Sequence, residues 1–296
     1  MTREKQRYRN ETTNMDFINR HRIVPGQSVQ LAELETRSHA AFEGKKQAKQ
    51  FTAEAIEEIR SLQYRLFVEG SRSLLIVLQA PDAAGKDGLI RRVLGQMNPQ
   101  GCRTYPFKAP TRHELDHDFL WRIHQCTPAR GHVSIFNRSH YEDVLIARVE
   151  DLVPESVWKD RYEIINSFEK NLVAHDTTIL KFYLHISREE QLSRFRERLE
   201  KPEKHWKLDL ADYTVRERWD DYREAYEDVF RQCNSGDAPW FLIPADQKWY
   251  RDAAVAAITR DTLRAMDPQL PEVEVDLAEI RQCYERETRL ADDLPQ

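Results

Sequence analysis

An unbroken apolar run, Leu74 to Leu78, enters the turn Ala80-Pro81-Asp82-Ala83-Ala84-Gly85-Lys86-Asp87-Gly88, and apolar residues at helical spacing (Leu89, Ile90, Val93, Leu94, Met97) leave it. The continuous β-branched and leucine run over Ser73 to Gln79 reads as a strand buried on both faces, the habit of a parallel sheet. A strand feeding a helix through Gly-Lys is the layout of a phosphate-binding loop, whose pattern is Gly, four residues, Gly, Lys, then Ser or Thr. Gly85 and Lys86 stand at the right offset from Ala80, which takes the place of the first glycine, while Asp87 takes that of the hydroxyl. Such a loop aims backbone N–H groups and a helix start at phosphate oxygens. The candidate phosphate contacts are Ala83, Ala84, Gly85, Lys86 and Asp87.

The rest of the chain keeps the same alternation. A helix is expected from Ala48 to Phe67, ending near Gly70, and strands at Cys102 to Phe107, Val133 to Phe136, Thr178 to Ile186 and Trp240 to Ile243. Between them lie capping boxes at Thr111/Glu114 and Ser187/Glu190, a helix around Arg161 to Val173, and one stopped by Pro202. A long helix then carries Val215, Trp219, Tyr222, Tyr226 and Phe230, and a last one spans Trp249 to Met266. Strands alternating with helices predict an α/β fold, a mostly parallel sheet with helices on both faces. The expected organisation is an N-terminal arm and helix over 1–70, a core over 71–267 and an acidic peripheral tail over 268–296.

Composition narrows the function. With 45 Lys and Arg against 50 Asp and Glu, a net charge of −5 excludes a globally basic nucleic-acid coat but leaves room for a local basic groove. A 40% hydrophobic share supports a real core rather than a disordered chain. Cys102, Cys126, Cys233 and Cys283 are scattered with no Cys-x-x-Cys pair, so they are expected to be reduced and mostly buried. Met1 to Asn10 has no apolar stretch behind it, and the longest apolar run is strand-sized, so a soluble cytoplasmic protein without membrane or nucleic-acid partners is expected.

Two carboxylates beside a bound polyphosphate would repel it unless a divalent cation sits between them. Asp82 therefore reads as a metal-facing group, with Asn137 beside it and Mg²⁺, or Mn²⁺ in its place, as the ion. Asp87 is equally well explained by the helix dipole. In Phe136-Asn137-Arg138-Ser139-His140-Tyr141-Glu142-Asp143, Arg138 can bridge phosphate oxygens with its planar fork, or simply pair with Glu142 or Asp143. Arg194 and Arg198, four apart with Lys201, Lys204 and Lys207 following, suit a lid over a polyanion. Arg91, Arg92, Arg103, Lys108, Arg112 and Arg122 are further groove candidates. An apolar, partly aromatic base pocket is sought in Phe119, Trp121 and Tyr141, with Asp118, Asn137 and Glu142 as polar contacts. His113-Glu114-Leu115-Asp116-His117 matches zinc-protease spacing, but Glu114 already serves the Thr111 cap and a protease leaves the loop and the basic segment unexplained.

Together, Ala80 to Gly88, Phe136 to Asp143 and the Arg-rich segment from Arg194 through Lys207 resemble the polyphosphate kinase 2 family, over about residues 25–266. The resemblance implies a thymidylate-kinase-like P-loop core with a helical lid, here around 188–212. It also implies Mg²⁺-dependent phosphoryl transfer between inorganic polyphosphate and a nucleotide, in assemblies that are commonly dimers or tetramers. Asp82 then resembles the family's catalytic carboxylate, Lys86 its phosphate lysine and Arg138 the arginine after the second strand. Lys108 and Arg122 match further basic contacts, and Arg194 and Arg198 lie in its lid. The Asn-Arg-Ser-His-Tyr-Glu-Asp form is similar to the subgroup accepting AMP and ADP, whereas members acting on nucleoside diphosphates carry Asp-Arg-Ser-Trp. A nucleoside monophosphate kinase with ATP as donor, and a non-catalytic nucleotide-binding module, are the competing readings.

Overall fold

In the computed structural model, which describes residues 17–272 and 274–292, the run Ser73 to Gln79 lies at the centre of a five-stranded sheet. The expected leaderless segment Met1 to Asn10 falls outside the described residues. In chain order the elements are α1 (Lys45–Glu69), β1 (Ser73–Gln79), α2 (Lys86–Arg92), β2 (Cys102–Pro106), β3 (Val133–Asn137), α3 (Glu155–Ala174) and β4 (Thr177–His185). They continue through α4 (Arg188–Glu200), α5 (Ala211–Glu217), α6 (Trp219–Gln232), β5 (Trp240–Pro244), α7 (Lys248–Met266) and α8 (Leu277–Asp292).

The strand order is β2-β3-β1-β4-β5 and every pair is parallel. β1 is buried at all seven positions because it is covered on both faces. Leu74, Ile76 and Leu78 pack with α1, α2 and α7, while Leu75 and Val77 pack with α3 and α6. α7 lies between sheet and α1, which is why it is buried nearly all round rather than along one stripe. Ile23 N–H donates to Trp240 O at 2.9 Å and Arg22 bridges Phe241 antiparallel, so the arm covers the β5 edge. Among the described residues no helix is long and apolar enough to cross a membrane.

Four expectations are corrected. The helix leaving the loop ends at Arg92, and Leu94 reaches the core through a 3₁₀ turn, because Val93 departs from helical geometry (φ −121°, ψ −70°). The long helix over Val215 to Phe230 is two helices meeting at Arg218 (φ −94°, ψ 26°). The second capping box is only half made. Ser187 Oγ accepts from Glu190 N–H, but the Glu190 carboxylate is taken by Arg194 and Ser187 N–H by Asp246. Of the cysteines only Cys233 is buried; Cys102 sits on the edge strand and Cys283 on the exposed α8.

One ionic cluster crosses the core. Lys181 on β4 donates to Glu169 of α3 at 2.6 Å, to Tyr141 Oη at 3.0 Å and to Cys233 O at 2.8 Å. Tyr141 Oη also donates to Glu169 at 2.7 Å, and His140 Nε2 lies 3.3 Å from the same oxygen. Burial alone would raise the Glu169 carboxyl, yet Lys181 and His140 hold it below its ordinary value. Removing one member strands a buried charge. Lys181→Met should therefore cost ~3–5 kcal/mol in denaturant unfolding, with much of it regained in Lys181→Met/Glu169→Leu; equal destabilisation of both would show that the pair is not the cause.

Candidate functional site

The turn between β1 and α2 is built to expose backbone donors. Ala83 (φ 60°) and Gly85 (φ 103°) are both left-handed, and a Cβ at Gly85 would lie 2.1 Å from Arg251 Nη1, so only glycine fits there. Lys86 is buried under the loop, its Nζ donating to Ala80 O at 2.8 Å. Burial, with the Arg138 guanidinium nearby, pulls its pKa from 10.5 down to about 8.

Arg138 follows β3 with a left-handed backbone (φ 64°) that swings its guanidinium across to the loop. Nη2 donates to Asp82 Oδ1 at 2.6 Å and Nη1 to Glu142 Oε2 at 3.3 Å. Burial would raise the Asp82 carboxyl, but Lys86 and Arg138 overcome it and hold it below the usual range, so Asp82 is a carboxylate. Asp87 accepts from Asn137 Nδ2 at 2.9 Å and from Lys207 Nζ at 3.3 Å. That second bond ties the turn after α4 to the start of α2.

Two cavities meet at Asp82, Arg138 and Glu142. One is a groove of about 710 Å³ running past the loop, Lys108, α4 and the start of α7, lined by eleven lysines and arginines against four carboxylates. The other is a narrow cleft of about 70 Å³ walled by Leu31, Ile146, Val215, Trp219, Tyr222 and Tyr226.

Asp82, Ala83, Gly85, Lys86, Asp87, Lys108, Asn137, Arg138, Glu142 and Arg198 are thus gathered at the groove. Ala84 is not among its lining: its N–H points back to Pro81 O at 3.3 Å. Other candidates sit elsewhere. Arg194 touches the groove wall but is only 6% exposed, its fork spent on Glu190 and on the carbonyls of Ala83, Ala84, Ala245 and Asp246. It braces the loop instead of reaching a ligand. Arg122 is likewise buried and donates to Lys108 O at 2.9 Å, holding the segment that presents Lys108. Tyr141 belongs to the core cluster around Glu169 and lines neither cavity. Asp118 caps a local turn through Leu120 N–H, Phe119 stacks under Arg161 and Trp121 stacks on His117, all outside both cavities. Arg103 and Arg112 also lie outside the groove, whereas Arg91 and Arg92 line it.

The zinc-protease spacing has no metal geometry behind it. The helix there stops at Leu115, Glu114 Oε2 accepts Thr111 N–H at 2.6 Å, and the two histidines pack on Trp121. The residues that the sequence did not single out are Lys248 and Arg251, from the first turns of α7, and the aromatic wall of the cleft. The signal for the wall was present as Trp219, Tyr222 and Tyr226 at helical spacing, which also reads as ordinary core.

Among the described residues no three His, Cys, Asp or Glu side chains converge as a ready-made metal cage. Mg²⁺ does not need one, since one or two carboxylates suffice where phosphate oxygens and waters complete its shell. The ionised Asp82, with the amide of Asn137 on the same groove, fits a hard cation held in that way.

The profile of the polyphosphate kinase 2 family matches residues 42–271. The chain is 46% identical over 258 residues, 87% of its length, to the AMP/ADP-polyphosphate phosphotransferase of Meiothermus ruber, covering 97% of that protein. It is 40% identical to the ADP-polyphosphate phosphotransferase of Rhodopseudomonas palustris, over 85% of this chain and 91% of that one. The crystal structure of polyphosphate kinase 2 from Arthrobacter aurescens superposes with a TM-score of 0.88 at 39% identity, covering 91% and 96% of the two chains.

The depressed Lys86 pKa generates a pH signature. Between about 8 and 10.5 the native state sheds this proton while the unfolded chain keeps it, so the contribution of Lys86 to stability rises with pH through that window and is constant below it. A phosphate oxygen near Nζ reverses the shift. Binding of tripolyphosphate at pH 8.5 should therefore take up a fraction of a proton, read as a buffer-dependent calorimetric enthalpy that Lys86→Arg abolishes. A buffer-independent enthalpy would contradict the placement of Lys86 at the anion.

Proposed function

This chain belongs to the polyphosphate kinase 2 family, and from that premise we propose that it is a phosphotransferase that moves phosphoryl groups between inorganic polyphosphate and the adenine nucleotides AMP, ADP and ATP. One observation carries the reading beyond the family. Among the described residues a strongly basic groove, whose one aromatic is the largely buried Phe107, meets a cleft walled by Trp219, Tyr222 and Tyr226, and they join at Asp82 and Arg138. A donor in the groove needs charge and no base, whereas an acceptor in the cleft needs a base and a short phosphate tail. A nucleoside monophosphate kinase using ATP would need a second base site.

Phosphoryl transfer of this kind asks the protein for positioning and charge neutralisation rather than covalent chemistry. The loop N–H groups and Lys86 hold the donor phosphate, and Arg138 lies where both cavities can share it, matching charge that develops between donor and acceptor. Asp82, kept ionised, faces the same point and holds Arg138 against it. Mg²⁺ would be held by Asp82 with Asn137 beside it and would supply charge neutralisation on the phosphate oxygens. α4 and the turn Pro202–Lys207 act as the lid. Their lysines face the groove, and the Lys207–Asp87 and Arg198–Asp212 pairs tie them down. Water is thereby kept from the transferring group. Trp219, Tyr222 and Tyr226 stack the base.

ATP formed from ADP and polyphosphate, and ADP from AMP and polyphosphate, are the expected products, with little transfer from ATP to AMP when polyphosphate is omitted. Activity only in that last assay would overturn the choice of donor. Asp82→Asn should lower kcat by about 10²–10³ while the protein stays folded with only a modest fall in melting temperature, from loss of the Arg138 ion pair. Trp219→Ala should raise the KM for ADP by about tenfold and leave that for polyphosphate alone, as loss of a base-stacking surface would; a shift confined to polyphosphate would remove the cleft from the nucleotide.

A further inference from the structure

A phosphate-binding loop works only if its N–H groups face the anion, and in a planar trans peptide the N–H points opposite to the carbonyl. Whatever holds the carbonyls therefore aims the donors. Here the carbonyl of Ala84 accepts two guanidinium bonds, from Arg194 Nη1 at 2.8 Å and from Arg251 Nη1 at 2.8 Å. The peptide sharing that carbonyl carries the Gly85 N–H, and Gly85 lines the groove. Arg251 is itself fixed: Nε and Nη2 donate to Asp252 Oδ1 at 3.0 and 2.7 Å, and Asp252 Oδ2 accepts from Arg92 Nε at 2.7 Å. Arg251 is 1% exposed, so this fork is committed to protein atoms.

We propose that Arg251 is a positioning residue for the reaction, acting through the Ala84 carbonyl to aim and polarise the Gly85 N–H at the donor phosphate. Two cations on one carbonyl draw electron density along the peptide and strengthen the N–H at its far end as a donor. The same contact accounts for Gly85. A side chain there would meet the guanidinium at 2.1 Å and displace it from the Ala84 carbonyl, and the φ of +103° favours glycine in any case. Asp252 links the brace to Arg92, which lines the groove, so the backbone donors and a groove cation are held by one ion-pair chain. The inference rests on the polyphosphate reading above for the identity of the anion.

The test uses the full-length protein and tripolyphosphate as probe, with affinity by calorimetry, turnover with polyphosphate and ADP, and hydrogen exchange of residues 80–88. Arg251→Ala is expected to weaken tripolyphosphate about ten- to hundredfold and to lower kcat, with the KM for ADP within about twofold of wild type. Low millimolar guanidinium, too dilute to denature, should restore both severalfold, whereas equimolar sodium chloride should not. At saturating tripolyphosphate the wild-type loop should gain protection that Arg251→Ala lacks. Wild-type affinity in Arg251→Ala, or a weakened variant whose loop is still fully protected, would overturn the proposal. If Arg251→Ala does not fold, Arg251→Lys decides it: intermediate affinity supports the brace and wild-type affinity with wild-type kcat rejects it. Failure of the wild type to bind tripolyphosphate would instead bring down the polyphosphate reading, and the brace with it.

Discussion

The contact between Arg138 and Asp82, 2.6 Å apart at the junction of the two cavities, is the constraint on which the site depends. It joins the end of β3 to the loop after β1, and it adds to the groups that favour the charged form of each partner. Burial works against the Asp82 carboxylate, and Lys86 and Arg138 overcome it. Glu142 and Asp82 in turn raise Arg138 above its ordinary value against its own desolvation. A carboxylate and a guanidinium held charged in a partly desolvated place are worth more to a reacting phosphate than the same groups in water, where solvent would have to reorganise around them.

The groove shows how a protein of net negative charge presents a basic surface without tearing itself apart. Its cations are parked on internal anions. Lys207 rests on Asp87, Arg198 on Asp212, and Lys201, Lys204 and Lys248 converge on Glu197, whose carboxyl is drawn down to about 2 by the hydrogen bonds from Lys201 and Lys204. The lysine pairs are about a third or more exposed and individually weak, whereas Arg198–Asp212 is more buried. Under the proposed function that weakness would suit a lid, since a polyanion offers the same lysines more charge than a single carboxylate can. The deeply buried arginines behave differently: Arg194 is held by Glu190 and four backbone carbonyls, and Arg251 by Asp252 and the Ala84 carbonyl, so their forks are already filled by protein atoms.

Much of the fold was legible. The strand Ser73–Gln79, the Gly70 stop of α1, the Thr111 capping box and the alternation of strands and helices follow from local patterns that the structure reproduces. The loop and Arg138 were legible because spacing along the chain fixes them. What was not legible depends on three-dimensional convergence. Nothing local distinguishes Arg194, which grips loop carbonyls, from an arginine facing a ligand, and nothing places Lys248 and Arg251 beside a loop more than 150 residues earlier. The aromatic cleft was missed for a related reason: its residues have the periodicity of a core helix, and only the break at Arg218 opens Val215 and Trp219 onto a cavity.

The segment Asn137 to Asp143 shows why a motif should be divided atom by atom. Its first two residues and Glu142 face the groove, while Ser139, His140 and Tyr141 are fully buried behind it. Ser139 Oγ accepts from Gln79 Nε2 at 3.1 Å, stitching the motif to the last residue of β1, and Tyr141 and His140 are locked to Glu169 and Lys181. Arg138 sits between these two halves with a backbone conformation that a non-glycine residue adopts only at some cost, of order 1–3 kcal/mol. A strained residue persists when its neighbours over-determine it. The buried ionic cluster on one side and the strand pairing on the other supply that determination, so the residues next to Arg138 in sequence keep its guanidinium where Asp82 can hold it.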